Sequence, residues 1–381
     1  MATATTILAS VPPEYQWPVE FCAATTAAVW ILSLITSNVS QVDRLWTFLP
    51  TIYTGYYALL PLWPEEPLFF LFPYSPKSLG WAVAKTFSPR ALLIFGVVFV
   101  WMSRLSYNTY RRGLFRLSDE DYRWAVLRTK LPAWLFQVVN LTFIAATQNV
   151  LLLLLGFPAK VAATQPHTTL APSDIALGAL ALVVLGFEFT ADNQQWAFHA
   201  YKHAHEATEK GKAGVAPYDK REHWPGAGLD FTPEDAKRGF ITRGLWAYSR
   251  HPNFLCEQSF WWIITLIPLL SPSPPHLIRT TFATHPIPSL SAILENPATL
   301  LPFLAPLADV APALSLTALF FSSTLFTESI TVNKYQRKYR AYQQRVGMFS
   351  PLRTWEKGLK LAWRGNKAAV ESVVWGRDKK E

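Results

Sequence analysis

Acidic and amide side chains recur in this 381-residue chain at helical spacing, next to runs of apolar residues. Glu188, Asp192 and Gln195 follow one another so that a helix would carry all three on one face. Two carboxylates four residues apart repel each other, so they predict a hydrogen-bonding ligand or basic partners from other helices. A helix end that emerges into water is the simpler alternative, and the pair offers too few oxygens to predict a metal site.

The segment SRHPNFLCEQ puts a second set of polar groups at the mouth of an uncharged apolar run. Asn253 and Glu257 are four residues apart and would share one helix face. Pro252 fits the first turn of a helix, whose exposed N–H groups attract an anion, and Arg250 and His251 add further donors. The segment is therefore predicted to form the polar rim of a site for a charged, hydrogen-bonding ligand.

Arg104, Asn108 and Arg111 repeat the same spacing at the end of another apolar run. Guanidinium groups suit phosphate because their planar fork donates two hydrogen bonds at once. Arginines in this position also anchor membrane helices on their cytoplasmic side. Arg104 and Arg111 are therefore candidate phosphate contacts or membrane anchors.

The segment TVNKYQRKYRAYQQR places Tyr335, Tyr339 and Tyr342 on one helix face, with Lys334 and Lys338 each directly before a tyrosine. An aromatic face beside cations can stack a nucleobase and hold its phosphates. The same pattern is typical of an amphipathic helix that lies on anionic lipid. The residues by themselves leave both interpretations open.

The composition excludes an ordinary soluble protein. Half of the residues are hydrophobic, and only 16% are charged, against about 25% in a typical globular domain. Cys22 and Cys256 both lie in apolar surroundings, which excludes a disulfide framework and a zinc site. The net charge is +9, and such a basic chain can bind nucleic acid, but the hydropathy favours a membrane instead. We therefore expect membrane lipids, and no nucleic acid, as partners.

Seven apolar stretches predict an all-α, polytopic bundle of about seven transmembrane helices. A helix needs about 20 apolar residues to cross a bilayer. Five uncharged runs have about this length, and they lie between Glu20 and Asp43, Arg44 and Glu65, Lys130 and Lys160, Glu257 and Arg279, and Asp309 and Glu328. Two more, Ala91 to Ser103 and Ile175 to Phe187, have only 13 residues each, and they span only if Arg104 and Glu188 lie within the protein or at its face.

Loop charge supports the two short spans and orients the bundle. The basic residues concentrate in residues 104–130, residues 202–250 and the tail, where 13 Lys/Arg face 4 Asp/Glu from Lys334 onward. With seven spans these three segments fall on one side, as the positive-inside rule demands. The sequence therefore predicts a lumenal N-terminus and a cytosolic C-terminus.

Hydropathy and loop charge together divide the chain into three parts. Residues 1–20 are expected to form a lumenal leader, and residues 21–351 the membrane bundle. Within the bundle, residues 203–238 read as a solvated cytosolic excursion, and the Pro/Ser/Thr-rich residues 271–302 as a lumenal loop. Residues 352–381 read as a basic cytosolic tail.

Several motifs, taken in order, resemble a known membrane family. RHPNFLCE resembles the R-H-P-N-Y-x-x-E signature shared by membrane reductases and membrane methyltransferases. FEFTADNQ resembles the E-x-x-x-D-x-Q stretch of the DUF1295 group, which belongs with the steroid 5-alpha-reductase C-terminal family. QVDRLWTFLP, SRLSYNTYRRG, EDYRWAVLR and FTESITVNKYQRKYRAYQQRVGMFSPL are also similar to that group. The similarity runs from about residue 42 to residue 351.

The reductase branch of this resemblance implies an endoplasmic-reticulum enzyme that takes NADPH from the cytosol and reduces a carbon–carbon double bond of a sterol or other lipid. Tyr107, as a general acid, and Glu188 are the candidate catalytic residues. The implied cofactor contacts are Asn253 and Glu257 at the nicotinamide, Asp192 and Gln195 in the cavity, Arg250 and His251 at phosphate or ribose, and Lys334, Tyr335, Lys338, Tyr339 and Tyr342 on the far side. The spacing argument adds Arg104 and Arg111 as phosphate contacts.

The chain departs from the family pattern at two points. Phe254 stands where the signature has tyrosine, so no hydroxyl is present there. The glutamate–tyrosine pair that polarises the enone in steroid reductases has no clear counterpart, and Tyr53, Tyr56 and Tyr57 are acid candidates beside Tyr107. The missing pair weakens the expectation of a steroid substrate more than it weakens the expectation of NADPH as the cofactor.

Two alternatives remain at the level of sequence. The first is an S-adenosylmethionine-dependent membrane methyltransferase, in which the same pocket would hold the amino acid and ribose of that cofactor. The second is a non-enzymatic lipid-binding membrane protein that kept the fold without the chemistry.

Overall fold

The computed structural model describes residues 11–77, 82–211, 214, 216–273 and 286–376. Within these ranges the chain forms helices and turns and contains no β-strand. The prediction of an all-α protein is therefore confirmed.

Parts of three predicted segments lie outside the described ranges. These are residues 1–10 of the leader, residues 274–285 of the lumenal loop and residues 377–381 of the tail. Three positions of the predicted excursion, 212, 213 and 215, lie outside them as well.

The helices are numbered in chain order. They are α1 Gln16–Thr36, α2 Gln41–Leu45, α3 Leu49–Ala58, α4 Pro89–Arg111, α5 Tyr122–Lys130, α6 Ala133–Val139, α7 Gln148–Leu154, α8 Phe157–Thr164, α9 Pro172–Glu209, α10 Pro233–Arg238, α11 Pro252–Leu269, α12 Leu290–Glu295, α13 Leu301–Arg345, α14 Pro351–Trp363 and α15 Lys367–Trp375. A π-helical segment, Asn140–Thr147, joins α6 to α7 without a break.

Five helical segments within the described residues are long and apolar enough to cross a membrane, so the chain is an integral membrane protein. They are Pro13–Thr36, Pro89–Arg111, Ala133–Thr164, Pro172–Glu209 and Leu307–Arg345. The two 13-residue runs of the sequence lie inside α4 and α9, because both helices continue through the polar residues that follow. The count of seven spans and the orientation of the termini stay predictions.

Two of the expected spans take a different form. The run between Arg44 and Glu65 forms the ten-residue helix α3, which at 1.5 Å per residue covers about 15 Å of a hydrocarbon core about 30 Å thick. It ends at Ala58, and Pro61, which follows three residues later, has no N–H group to continue the α-helical hydrogen bonds. Helix α11 begins at Pro252 and takes Asn253 and Glu257 into its first turns, so it is less apolar than the run after residue 257.

The chain divides into two compact units. Unit 1 comprises Met1–Ala181 and Trp261–Leu316. In it, α3 packs against α4 and α8, and the rings of Tyr53, Tyr56 and Tyr57 are fully buried. The hydroxyls of Tyr56 and Tyr57 donate to the backbone carbonyls of residues 74 and 14, so both phenols contribute to the packing of this unit.

Unit 2 comprises Leu182–Phe260 and Thr317–Glu381. It holds the second half of α9, the first turns of α11, the second half of α13, and the whole of α10, α14 and α15. Its largest apolar cluster is built on Tyr339, Tyr342, Val346 and Val374, so the C-terminal helix packs on the end of α13. Helix α13 is broken at Gln336, whose φ of 44° lies in the left-handed region.

The segment predicted as a solvated excursion is in part folded. Phe231 packs against the buried residues Phe198, Ile241 and Trp246. Thr232 and Asp235 form a reciprocal capping box at the start of α10, which satisfies two exposed N–H groups of that helix. This order could not be predicted from the sequence, because the segment is rich in charged residues. Its few aromatic residues are too widely spaced to form a periodic pattern.

Gly239 ends α10 with a φ of +91°, and an added Cβ would overlap the ring of Tyr335. We expect Gly239→Ala to lower the free energy of unfolding by about 2–4 kcal/mol, since it combines left-handed backbone with overpacking. Gly365→Ala is the matched control, because Gly365 also has positive φ (+69°) but nothing lies within 4 Å of its Cβ position. Thermal unfolding in detergent measures both, and equal losses would contradict the close packing of Tyr335.

Candidate functional site

Glu328 in α13 is the centre of a buried polar network in unit 2. The Arg250 side chain binds its carboxylate with both fork nitrogens, Nε to Oε1 at 2.6 Å and Nη2 to Oε2 at 2.9 Å. His251 Nε2 lies 2.9 Å from Oε1 and donates to it in the tautomer that protonates Nε2. All three side chains are buried. The two basic residues of the signature thus share one carboxylate that follows them by almost eighty positions.

Further donors complete the coordination of Glu328. Tyr339 Oη donates to Oε1 at 3.1 Å, and Gln343 Nε2 donates to Oε2 at 2.9 Å. The backbone N–H groups of Arg250 and His251 also donate to the carbonyls of Gly347 and Met348, at 3.0 and 3.1 Å. The start of α11 is therefore fastened to the end of α13 by both side chains and backbone.

Glu328 was not predicted from the sequence as a site residue, although it lies in the motif FTESITVNKYQRKYRAYQQRVGMFSPL. One signal was present: Glu328 ends an uncharged run of 18 residues, and an ionisable residue at such a place needs a partner. The identity of that partner is not visible along the chain.

Burial lowers the pKa of His251 from its ordinary value, although the neighbouring Glu328 carboxylate acts in the opposite direction. His251 is therefore neutral in the folded protein at pH 7, while in the unfolded chain it takes up a proton near pH 6.5. A lowered pKa in the folded state gives a contribution to stability that is present above the unfolded pKa and is lost as pH falls.

We expect the unfolding temperature to fall between pH 7.5 and pH 5.5, and to fall less in His251→Gln, whose amide still donates to Glu328. The measurement is thermal unfolding in detergent across that pH range. An equal pH dependence in the wild type and the variant would show that His251 is not the group responsible.

The acidic motif of α9 and the signature of α11 meet in the same unit. Asn253 Nδ2 donates to Asp192 Oδ1 at 3.2 Å, across 61 residues of sequence. Asn253 Oδ1 accepts from the N–H of Phe254 at 3.0 Å, which fixes the orientation of the amide. Asp192 is buried and Asn253 is half-buried, so this contact lies at the edge of the unit's interior.

Two more carboxylates belong to the same two helix faces. Glu188 stands one turn before Asp192 in α9, and Glu257 stands one turn after Asn253 in α11. Both are buried. We refer to Glu188, Asp192, Asn253 and Glu257 as the acid–amide cluster. It combines three potential anions with one amide.

Gln195 shares the face of Glu188 and Asp192 and is half-buried, whereas its neighbour Gln194 lies on another side of α9 and is buried. Gln194 Oε1 accepts from the N–H of Leu245 at 2.9 Å, and Nε2 donates to the carbonyl of Gly226 at 2.8 Å. Gln194 thereby holds two loops in place beside α9, and it occupies the glutamine position of the E-x-x-x-D-x-Q stretch.

The three tyrosines of α13 direct their hydroxyls into the protein. Tyr335 donates to the carbonyl of Gly239 at 3.0 Å, and Tyr342 donates to that of Trp246 at 2.5 Å. With Tyr339 they surround the ring of Phe240 at centroid distances of 5.1 to 5.5 Å. These phenols position the loop that precedes the signature.

Lys334 and Lys338, which directly precede Tyr335 and Tyr339, are exposed. Lys338 Nζ donates to the carbonyl of Lys237 at 2.8 Å. The Lys334 ammonium lies 5.2 Å from the ring centroid of Tyr335. Lys334 thus keeps its ammonium group at the surface, beside an aromatic ring.

Arg104, Tyr107 and Arg111 belong to α4 and therefore to unit 1. Arg104 is buried, whereas half of the Tyr107 side chain is exposed. The Arg111 guanidinium lies 5.1 Å from the Tyr107 ring centroid and donates to Asn108 Oδ1 at 3.0 Å. These residues share one side of the end of α4, as their spacing predicts, and their role as phosphate contacts stays a prediction.

The acid–amide cluster suits the uncharged polar end of a nucleotide cofactor. Its carboxylates can accept hydrogen bonds from ribose hydroxyls or a carboxamide, and the Asn253 amide can both donate and accept. The cluster offers fewer groups for the phosphates of such a cofactor, because the Arg250 and His251 side chains are already bound to Glu328. Those two residues act here as positioning groups for the first turn of α11.

Comparison with known proteins identifies the family of the chain. A family model described as "Protein of unknown function (DUF1295)" matches residues 29–283. An uncharacterized protein of Schizosaccharomyces pombe is 31% identical over 330 residues, which cover 85% of this chain and 75% of that protein. No solved structure matches the chain.

Proposed function

The chain belongs to the DUF1295 family, and from the resemblance of its motifs to membrane reductases we propose that it is an NADPH-dependent reductase of the endoplasmic reticulum. Its reaction is the reduction of a carbon–carbon double bond in a sterol or other lipid. The observation that supports this most is the bond between Asn253 and Asp192, which joins the two motifs that resemble membrane reductases.

In this proposal NADPH would supply the hydride, water would supply the proton that completes the reduction, and the chain would supply binding and orientation. Asn253 and Glu257 would hold the carboxamide of the nicotinamide, and Asp192 would accept from a ribose hydroxyl. Asn253 is oriented for this from one side by Asp192 and from the other by the N–H of Phe254. Arg250, His251 and Glu328 hold the helix that carries Asn253 and Glu257.

The alternative, an S-adenosylmethionine-dependent methyltransferase, is favoured by one specific observation. Within unit 2, Glu328 already neutralises Arg250, while Glu188, Asp192 and Glu257 bring three carboxylates to two helix faces. Carboxylates attract a cation, and S-adenosylmethionine carries a sulfonium and an ammonium group, whereas NADPH is an anion.

One binding experiment separates the two cofactors. The purified full-length protein in detergent is offered tritiated NADPH and labelled S-adenosylmethionine under the same conditions. We expect retention of NADPH and, with a membrane lipid extract as substrate, NADPH-dependent formation of a lipid heavier by two hydrogens. Retention of S-adenosylmethionine alone would replace the reductase proposal by the methyltransferase, and retention of neither would favour a non-enzymatic lipid-binding protein.

A further inference from the structure

A basic groove in unit 2 lies apart from the residues assigned above. It is formed by the last turns of α13 with α14 and α15, and it encloses about 1100 Å³. Its lining includes the basic residues Arg337, Arg340, Lys357, Lys360 and Arg364 and, among the described residues that line it, no acidic one. Five cations around one groove repel one another, so the groove is complementary to a multiply charged anion.

The cations of the basic groove differ in what holds them. Lys357 Nζ donates to the carbonyls of Gln343 and Val346 at 2.6 and 3.3 Å, and Lys360 Nζ lies 2.5 Å from Glu356 Oε1. Three arginine side chains of the groove make no hydrogen bond or ion pair with the part of the chain that the structure describes: those of Arg337, Arg340 and Arg364. Planar guanidinium groups of this kind bind phosphate with two parallel hydrogen bonds.

Helix α14 carries an unusual apolar stripe next to these cations. Leu352, Trp355, Leu359 and Trp363 recur every three or four residues and so share one face. The stripe is exposed, with Trp355 at 68% and Trp363 at 88% of full accessibility. Lys360 and Arg364 directly follow Leu359 and Trp363, which sets each of these cations about 100° around the helix axis from an apolar residue.

The opposite side of α14 is fastened to the unit, which fixes the direction of the stripe. Thr354 Oγ1 donates to the carbonyl of Tyr248 at 2.5 Å and accepts from the N–H of Gly347 at 2.8 Å. Gly358 allows a close approach, because a Cβ there would stand 3.2 Å from the Arg345 guanidinium. The stripe is therefore held outward and is not free to rotate into the unit.

We propose that the basic groove binds the phosphate headgroup of an anionic membrane phospholipid, with the stripe of α14 inserted in the interface of the same leaflet. A helix with tryptophan and leucine on one face and cations beside them is typical of interfacial membrane binding, and tryptophan favours the headgroup region. The chain is already embedded in a membrane by its long apolar helices, so the partner is within reach. This binding does not depend on the proposed reductase activity.

The test uses the full-length protein and a water-soluble short-chain phosphatidylinositol phosphate as the probe. The variant R340Q/R364Q removes two exposed groove cations, and we expect its dissociation constant to rise about 25-fold, at about fivefold per cation. The matched control R221Q/R353Q removes two exposed cations outside the groove, which pair with Asp219 and Glu356, and it should bind as the wild type does. Unchanged unfolding temperatures confirm that both variants are folded.

Three competitors identify the occupant. Short-chain phosphatidylcholine and inorganic phosphate should displace the probe poorly, and NADPH should not displace it at all. Full affinity in R340Q/R364Q would overturn the proposal. Equal displacement by inorganic phosphate would reduce the groove to a free-anion site, and displacement by NADPH would assign it to the dinucleotide; either result also overturns it.

Hydrogen exchange gives a second measurement that needs no soluble lipid. In nanodiscs that contain phosphatidylserine, the amides of α14 should exchange more slowly than in nanodiscs of phosphatidylcholine alone. The amides of α10, in the same unit, serve as the internal reference. Equal exchange of α14 in both lipids would contradict the proposed headgroup contact.

Discussion

Glu328→Gln is expected to lower the free energy of unfolding by about 3–5 kcal/mol, the usual cost of removing one partner from a buried ion pair. The substitution keeps the size of the side chain but leaves the Arg250 guanidinium buried without its counter-charge. It also weakens the contacts with His251, Tyr339 and Gln343. Thermal unfolding in detergent should show a loss of roughly 5 °C.

Two further variants make this result specific. Glu356→Gln removes an exposed glutamate that pairs with Arg353 and Lys360, and its unfolding temperature should stay unchanged because exposed ion pairs add little. The double variant Arg250→Met, Glu328→Leu leaves neither charge of the pair buried, and it should unfold at a higher temperature than Glu328→Gln alone. If Glu328→Gln behaves as Glu356→Gln does, the network is not what fastens α11 to α13.

Asp192→Asn and Asn253→Ala are expected to weaken binding of the retained cofactor by about 10- to 100-fold, the range for one hydrogen bond that involves a charged group. Asp192→Asn preserves shape but removes the charge, while Asn253→Ala removes both the donor to Asp192 and the acceptor of the Phe254 N–H. Equilibrium binding of the labelled cofactor measures this directly. The expected loss applies to NADPH first, and it also applies to S-adenosylmethionine if that cofactor is the one retained.

The control for this pair is Asn193→Ala. Asn193 is buried beside Asp192, but its amide donates to the carbonyl of Phe189 within the same helix, at 2.6 Å. Its loss should lower stability slightly and leave cofactor binding unchanged. Asn253→Ala with wild-type affinity and a lowered unfolding temperature would mean that the acid–amide cluster supports the fold only.

The helical class, the membrane location and the pairs at helical spacing could be predicted from the sequence. These features are local: a run of apolar residues, or Glu188 and Asp192 four residues apart, has its meaning within one helix. The extent of each helix was less predictable. Helices α4 and α9 extend far beyond their 13-residue apolar runs, whereas α3 ends at Ala58, before its apolar run is over. Hydrophobicity reports where lipid is tolerated, and capping and packing decide where a helix ends.

The partners of the polar residues were decided only by the tertiary structure. Arg250 and His251 have the residue types of phosphate ligands, and nothing near them in sequence shows that they bind Glu328 instead. Helical spacing points to Gln195 as the partner of Glu188 and Asp192, and only the approach of two loops shows that Gln194 is the buried glutamine. A charge is satisfied by whichever opposite group the fold brings within about 3 Å. That depends on contacts between distant segments, which no local pattern records.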